Sequence, residues 1–255
     1  MVLSITDQGR SRVLTFNRPD QLNAMNDALY DAITEALTAA ATDAGVSAVV
    51  LTGAGRAFCA GQDLAEMANR PTYPAGERHG FGPFIETLEA FPKPLCAAVN
   101  GLGVGIGLTL LPYCDKVIMA PTARLRAPFV SLGVTAEAGS TLLLPALIGW
   151  PAAADILLTG RWVSAANAVE IGLAQEIAPE GGLLDRAQAW ADQFRDLPVA
   201  SLIATRSLMI AARVDAGAAA RHREDHLFRK LAGGPANLEA LAAFREKRPA
   251  DFGAM

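Results

Sequence analysis

Short apolar runs separated by turn residues dominate the first half of the chain. Residues 2–5 and 12–16 flank an Asp-Gln-Gly turn and predict a β-hairpin. Asn26 is a candidate N-cap for a helix over 26–41, in which apolar residues recur on one face. Residues 46–52 form an apolar run, which is typical of a strand that is covered on both faces.

Apolar spacing and capping residues predict that helices dominate the second half. Three further strands are predicted at 95–99, 116–120 and 172–177, and 121–134 is predicted to be irregular. The predicted helices are 64–68, 81–91, 106–111, 136–147 (capped by Thr135), 151–158, 164–171 (capped by Ser164), 183–194, 201–213, 215–231 and 237–247. This order predicts a layered α/β core, residues 1–196, followed by a helical region, residues 197–255.

The stretch 94–115 is the most informative part of the sequence. Its apolar residues 95–99 predict a buried strand, which Asn100-Gly101 ends in a turn. Glycine follows at every second position up to residue 107, so the backbone can approach another group closely. A strand that ends in a glycine loop and opens a helix presents free backbone N–H groups, and these attract negative charge.

Two other interpretations of this stretch fail. Residues 95–113 carry no charge over 19 residues, which is the length of a transmembrane helix, but Asn100 and four glycines argue against one. The dinucleotide fingerprint G-x-G-x-x-G is also absent. The positions where its last glycine is required hold Ile106, Leu108 or Leu110.

Composition and charge narrow the class of protein. At 255 residues with 51% hydrophobic and 19% charged side chains, the chain has a globular composition. The net charge of −4 gives no reason to expect a nucleic-acid partner. We expect no membrane segment and no signal peptide, hence a cytoplasmic protein. The cysteines number three and lack C-x-x-C spacing, which predicts a reducing compartment and no metal site: Cys59, Cys96 and Cys114.

A second loop, GAGRAFCAGQD at 53–63, also lies between a predicted strand and a predicted helix. Its small residues Ala60 and Gly61 stand where a backbone N–H can be presented to a ligand. Considered alone, this segment is equally typical of an ordinary strand-to-helix connection.

Five segments in order resemble the crotonase (enoyl-CoA hydratase/isomerase) superfamily over nearly the whole chain. They are NRPDQLNAM at 17–25, AFCAGQDL at 57–64, PKPLCAAVNG at 92–101, LTGRWVSAANAVEIGLAQEI at 158–177 and FREKRPADF at 244–252. The resemblance implies a spiral of repeated ββα units in 1–196 that binds acyl-CoA, and a C-terminal helical trimerisation region in 197–255. It also implies an acyl-CoA thioester substrate, a homotrimer or a hexamer built as a dimer of trimers, and no cofactor, since CoA is part of the substrate.

The resemblance gives the two loops one role. In this family two backbone N–H groups hold the thioester oxygen as it becomes an enolate. Matching the two loops to the family pattern assigns these donors to Ala60 and Ile106. One such donor contributes about 3 kcal/mol to the stabilisation of the transition state.

The acid/base residue separates the reactions of the family. Hydratases resembling this chain carry two glutamates, whose positions are occupied here by Thr109 and Phe129. The remaining candidate is Glu137, which is flanked by apolar residues that raise a carboxyl pKa. Glu137 falls where Δ3-Δ2-enoyl-CoA isomerases of the peroxisomal-type subfamily carry their catalytic acid. The alternative for Glu137 alone is a solvated carboxylate that complements a helix dipole.

The expected activity is therefore an isomerase of fatty acid metabolism, as in β-oxidation. Glu137 takes a proton from C2 of a 3-enoyl-CoA and returns it at C4, which gives a trans-2-enoyl-CoA. Two alternatives remain open at this point. One is another reaction of the family (enoyl-CoA hydration, thioester hydrolysis or dienoyl-CoA isomerisation), and the other is a non-catalytic acyl-CoA-binding protein.

Substrate-binding residues follow from the same resemblance. Arg18 and Arg56 are candidates for phosphate contacts, although each is equally well explained as a surface arginine. Phe84 and Phe129 are candidates for the acyl pocket, although core packing explains them as well. The other candidates lie in the two chain segments that the family uses for CoA or beside the oxyanion site: Leu22, Ala24, Ala57, Gly61, Gln62, Asp63, Leu64 and Gly105.

Overall fold

The structure is a computed structural model that describes residues 1–68 and 71–253. Within these residues the strands are β1 (Leu3–Gln8), β2 (Ser11–Phe16), β3 (Ala48–Gly53), β4 (Ala57–Cys59), β5 (Leu95–Val99), β6 (Leu102–Val104), β7 (Lys116–Met119), β8 (Arg124–Arg126), β9 (Val163–Ser164) and β10 (Glu176–Ile177). The helices are α1 (Asp27–Thr42), α2 (Leu64–Ala68), α3 (Phe81–Ala90), α4 (Ile106–Thr109), α5 (Ser140–Ile148), α6 (Trp150–Thr159), α7 (Ala165–Glu170), α8 (Leu183–Ala191), α9 (Val199–Leu231) and α10 (Pro235–Glu246).

The strands form two sheets that the chain visits in turn. The larger sheet has the order β1-β2-β3-β5-β7-β10, and the smaller one has the order β4-β6-β8-β9. After the β1–β2 hairpin, three pairs of successive strands (β3 with β4, β5 with β6, and β7 with β8) each place one strand in each sheet before a helix follows. This repetition confirms the predicted spiral of ββα units. Strands β2, β3, β5 and β7 run parallel to one another.

Strands β3 and β5 of the larger sheet are buried on both faces because they are apolar at successive positions, whereas the edge strand β1 is mostly exposed. On β3, Val49 and Leu51 enter the main core, whereas Val50 enters a second cluster that α8 covers. The predicted hairpin is confirmed, with Leu3 opposite Phe16. The predicted cap of α1 is confirmed as well, since the Leu29 N–H donates to the Asn26 side chain over 3.1 Å.

The residue pattern did not predict the strands of the smaller sheet. Its strands β4, β6 and β8 are three residues long and lie in segments that were predicted as loops or irregular chain. Three residues are too few to show an alternating pattern. The glycines serve this sheet, because a methyl group on Gly101 would lie 2.1 Å from the Arg56 carbonyl oxygen.

Two helix predictions are wrong in their boundaries. Helix α5 begins at Ser140 rather than near Ala136, because Ala138 (φ 61°) and Gly139 (φ 68°) are left-handed and end any helix there. Glu137 therefore lies in a turn before α5. The separate helices predicted at 201–213 and 215–231 form the single helix α9, because Asp215 points to solvent and does not cap a new helix.

No single helix among the described residues is both long and apolar enough to cross a membrane. One pair meets the length and composition requirement together, Leu183–Phe194 with Val199–Leu231, and it is bent by 105°.

Candidate active site

The site begins where two backbone loops meet without side chains between them. A methyl group on Gly61 would lie 3.2 Å from the Val104 carbonyl oxygen, and one on Gly105 would lie 3.8 Å from the Gly61 Cα. Gly107 is tighter still, since its methyl group would lie 2.5 Å from the Cys59 carbonyl oxygen. The loop after β4 and the loop after β6 are therefore held side by side.

The second loop leaves two N–H groups without a partner. Gly105 has φ 55° and ψ −118°, a conformation that only glycine adopts readily, and it starts α4 abruptly. The N–H groups of Leu108 and Thr109 bond back to the Gly105 carbonyl. Those of Ile106 and Gly107 have no acceptor within the described residues. The Ile106 N–H is thus free, as its predicted role requires.

The prediction for the first loop needs a correction. The Ala60 N–H already donates to the Leu22 carbonyl over 3.0 Å, so it is not free to hold a ligand. Met25 pairs with the same loop, because it donates to Gly61 and accepts from Asp63. Between these bonds the N–H of Gln62 has no acceptor in the part of the chain that the structure describes. The free donor of this loop is therefore Gln62, two residues after the predicted one.

Glu137 lies against the same short helix as Ile106. Its Oε1 accepts a hydrogen bond from the Thr109 hydroxyl over 2.9 Å. Ile106 and Thr109 are three residues apart on α4, so they share one side of the helix. Although part of the Glu137 residue stays exposed, its carboxyl has a pKa raised from 4.5 to about 8, first by desolvation and then by the charges of Glu224 and Asp225. The Thr109 bond acts in the opposite direction.

Tyr30 of α1 links the two sides of the site, and no sequence signal pointed to it beyond its place on the apolar face of the helix. Its hydroxyl donates to the Gln62 side chain over 3.0 Å, and its pKa is raised first by burial and then by the negative charge of Glu137. The Phe84 ring packs on Tyr30 at 5.1 Å between centroids. Phe84 is fully buried and Phe129 is 7% exposed, so both contribute apolar packing.

The predicted CoA-binding residues differ in their exposure and in their hydrogen bonds. Arg18 is bonded to the Ala24 carbonyl and to Asp63 (2.9 Å), so it joins the two chain segments rather than offering a free guanidinium. Arg56 is exposed and has no hydrogen bond or ion pair with any described residue, and its phosphate contact stays a prediction. Ala57 is buried, and its carbonyl accepts from Asn23. The backbone positions Leu22, Ala24, Gly61 and Asp63 lie together beside Gln62, with Leu64 exposed at the start of α2.

No cluster of three or more His, Cys, Asp or Glu side chains within 1–68 and 71–253 has the arrangement of a metal site. Cys59 is a buried thiol next to the site, and burial raises its pKa to about 12, which disfavours a nucleophilic thiolate.

Comparison with known proteins gives the family. Residues 9–254 match the sequence profile described as Enoyl-CoA hydratase/isomerase. The chain belongs to the enoyl-CoA hydratase/isomerase, or crotonase, family. Within it, the chain is 34% identical to 1,2-epoxyphenylacetyl-CoA isomerase of Escherichia coli K12, over 98% of this chain and 97% of the relative. It is 36% identical to 2,3-dehydroadipyl-CoA hydratase of the same organism, over 98% of both chains.

Solved structures of the family share the fold. An enoyl-CoA hydratase/isomerase from Pseudoalteromonas atlantica T6c superimposes with a TM-score of 0.95 at 32% identity, covering 99% of this chain and 100% of that one. OdaA of Pseudomonas aeruginosa gives a TM-score of 0.88 at 34% identity, covering 95% and 98%. The relatives bear both hydratase and isomerase names, so these names do not distinguish the two reactions for this chain.

Proposed function

We propose that this protein is a Δ3-Δ2-enoyl-CoA isomerase that works with one carboxylate. The observation that carries the proposal is Glu137, a desolvated carboxyl held by Thr109 beside the free N–H groups of α4. The names of the relatives, which refer to CoA thioesters, support an acyl-CoA substrate.

The first step removes a proton from C2 of a 3-enoyl-CoA. This proton is acidic only if the thioester oxygen is stabilised while it becomes negative. In our proposal that oxygen lies between the N–H groups of Gln62 and Ile106, on the two loops that contact each other at Gly61 and Gly105. Glu137 accepts the proton and, as a neutral acid, returns it at C4. The double bond moves from C3–C4 to C2–C3, and no atom is gained or lost.

Thr109 fits both protonation states of Glu137. Its hydroxyl lies 2.9 Å from the Glu137 carboxyl and 3.3 Å from the Gly105 carbonyl. It donates to Glu137 when the carboxylate is charged. When Glu137 carries the proton, the hydroxyl accepts from it and donates to Gly105 instead. The base thus keeps its position through the whole reaction.

Hydration is the main competing reaction, because several relatives are named hydratases. Hydratases that this chain resembles use two glutamates, and their positions hold Thr109 and the buried Phe129. Neither side chain activates water as a general base at neutral pH. This pair of substitutions therefore favours isomerisation over hydration.

The proposal is tested by NMR with trans-3-hexenoyl-CoA and, in parallel, crotonyl-CoA. We expect conversion of the first to trans-2-hexenoyl-CoA and no 3-hydroxybutyryl-CoA from the second. Hydration of crotonyl-CoA would show a hydratase, and release of free CoA would show a thioester hydrolase. Binding of both thioesters without any turnover would indicate a non-catalytic binding protein.

The pH dependence of kcat/KM reports the same base. Glu137 must be ionised to accept the C2 proton, and its pKa of about 8 keeps much of it protonated at neutral pH. We therefore expect kcat/KM to rise with pH and to level off above about 8. A rate that is flat between pH 6 and 9 would contradict Glu137 as the base.

We also propose that residues 197–255 form the contact between subunits in a homotrimer or a dimer of trimers, and that the enzyme acts in the cytoplasm without a cofactor. Large apolar side chains on α9 and α10 support the contact, since Leu208 is 76% and Phe244 is 65% exposed. Light scattering that gives a monomeric mass would contradict the assembly.

A further inference from the structure

Helix α9 carries a buried carboxylate that the proposed reaction does not use. Glu224 is 3% exposed, and it accepts three hydrogen bonds at the beginning of α5. Its Oε2 accepts from the Gly139 N–H over 2.6 Å, and its Oε1 accepts from the N–H and hydroxyl of Thr141 over 2.9 and 2.6 Å. All three donors are neutral, and their hydrogen bonds lower the pKa of Glu224, but desolvation is the larger effect and leaves that pKa above its usual value.

These bonds fix the turn in which Glu137 lies. Gly139 and the preceding Ala138 both have left-handed backbone angles, which cost energy for alanine. The Tyr113 hydroxyl holds the Ala138 carbonyl over 2.7 Å, and the Ser140 hydroxyl bonds to the Glu137 carbonyl. Glu224 supplies the contact from helix α9, so the turn is held by the core through Tyr113 and by the C-terminal region through Glu224.

Few charges surround this pair of carboxyls. Glu137 faces the Thr109 hydroxyl from α4, Tyr30 from α1 and the thiol of Cys59 from β4. From α9 it is influenced by Glu224 and Asp225, both of which raise its pKa. The nearby cation on α9, Arg221, is paired with Glu89 of α3.

We propose that Glu224 is a positioning residue that anchors the Glu137 turn to helix α9 and keeps the base against Thr109. This inference rests on the proposed function of Glu137. It also gives α9 a part in the reaction, because a helix from the C-terminal region determines where the base of the core stands.

The test uses Glu224→Gln, with Asp225→Asn as its matched control. Glutamine keeps the length and one oxygen for Thr141, but its NH₂ group faces the Gly139 N–H, so that bond is lost. Asparagine at 225 removes a nearby charge and none of the hydrogen bonds of the turn. A third variant, Thr141→Val, removes one bond to Glu224 and keeps every charge.

With trans-3-hexenoyl-CoA we expect Glu224→Gln to lower kcat at the high-pH plateau by about 10- to 100-fold, with little change in KM. The rise of its pH profile should also move to lower pH, because a negative charge near Glu137 is gone. Asp225→Asn should show a smaller shift and an unchanged plateau. Thr141→Val should lower the kcat plateau several-fold and leave the position of the pH profile unchanged. If Glu224→Gln does not fold, the plateau of Thr141→Val decides the test.

Two results would overturn the inference. One is a plateau that stays at the wild-type value in Glu224→Gln and Thr141→Val, which would reduce Glu224 to a stabilising helix cap. The other is the same shift of the pH profile, with an unchanged plateau, in Glu224→Gln and Asp225→Asn. That result would show that Glu224 acts on Glu137 only through its negative charge. Glu137→Gln, measured alongside, separates the two proposals, since normal turnover of that variant rejects the proposed function itself.

Discussion

Glu137→Gln is expected to abolish isomerisation, with a loss in kcat of about 10,000-fold. Glutamine preserves the shape of the side chain and can still meet the Thr109 hydroxyl, but it cannot accept the C2 proton. Affinity for a CoA thioester should change little, because the oxyanion donors are backbone groups. Progress curves with trans-3-hexenoyl-CoA and calorimetric titration with hexanoyl-CoA measure the two quantities.

The exposed Glu180→Gln serves as the matched control and should behave as the wild type. Thermal unfolding then shows that Glu137→Gln is folded.

In the native protein Glu137 holds its proton until about pH 8, whereas its unfolded pKa is near 4.5. The unfolded state therefore releases this proton first, and Glu137 costs stability as pH rises between these values. The free energy of unfolding of Glu137→Gln, compared with that of the wild type, should therefore be higher at pH 8 than at pH 5.

Turnover of Glu137→Gln within tenfold of the wild type (about 1.4 kcal/mol in barrier) would contradict the assigned role.

Gly107→Ala is expected to have the second largest effect, a loss in kcat of about 100- to 1,000-fold. The new methyl group would lie 2.5 Å from the Cys59 carbonyl oxygen, and the next nearest atoms are the Cβ and carbonyl carbon of Cys59, so no flexible side-chain end can yield. The first turn of α4 must then move away from the loop after β4. This shift separates the Ile106 and Gln62 N–H groups that the enolate oxygen needs together.

Gly82→Ala provides the comparison for that variant. Gly82 lies within α3, and its new methyl group would meet only the end of the Arg78 side chain at 3.6 Å. Alanine in a helix interior is favourable by about 0.5–1 kcal/mol relative to glycine. We expect this control to be as active as the wild type and at least as stable. Wild-type kcat in Gly107→Ala would show that the contact between the two loops does not set the oxyanion geometry.

The sequence was sufficient for the large elements and for the proposal of Glu137 as the base. Apolar patterns long enough to show a period identified the hairpin and helix α1. Glu137 was selected because few acidic residues lie near the central stretch, its neighbours are apolar, and it falls where the isomerases that this chain resembles carry their catalytic acid. Its raised pKa agrees with that reasoning.

Other features depended on contacts between distant parts of the chain. The donor assigned to Ala60 was wrong because the Leu22 carbonyl occupies its N–H, and no local pattern reveals that bond. Tyr30 and Glu224 come from helices α1 and α9, which are remote in sequence from Glu137. In the sequence each looks like an ordinary helical residue. Only the folded chain shows that both meet the same site.

The single-carboxylate shuttle is tested most directly by following a label from C2 to C4. The substrate is 3-hexenoyl-CoA with two deuterons at C2, converted in H₂O, and ²H NMR of the product locates the label. We predict that part of the deuterium removed from C2 appears at C4, because the same carboxyl of Glu137 carries it between the two carbons. A product with no deuterium at C4 at the earliest measurable conversion would show that separate groups, or water, perform the two proton transfers.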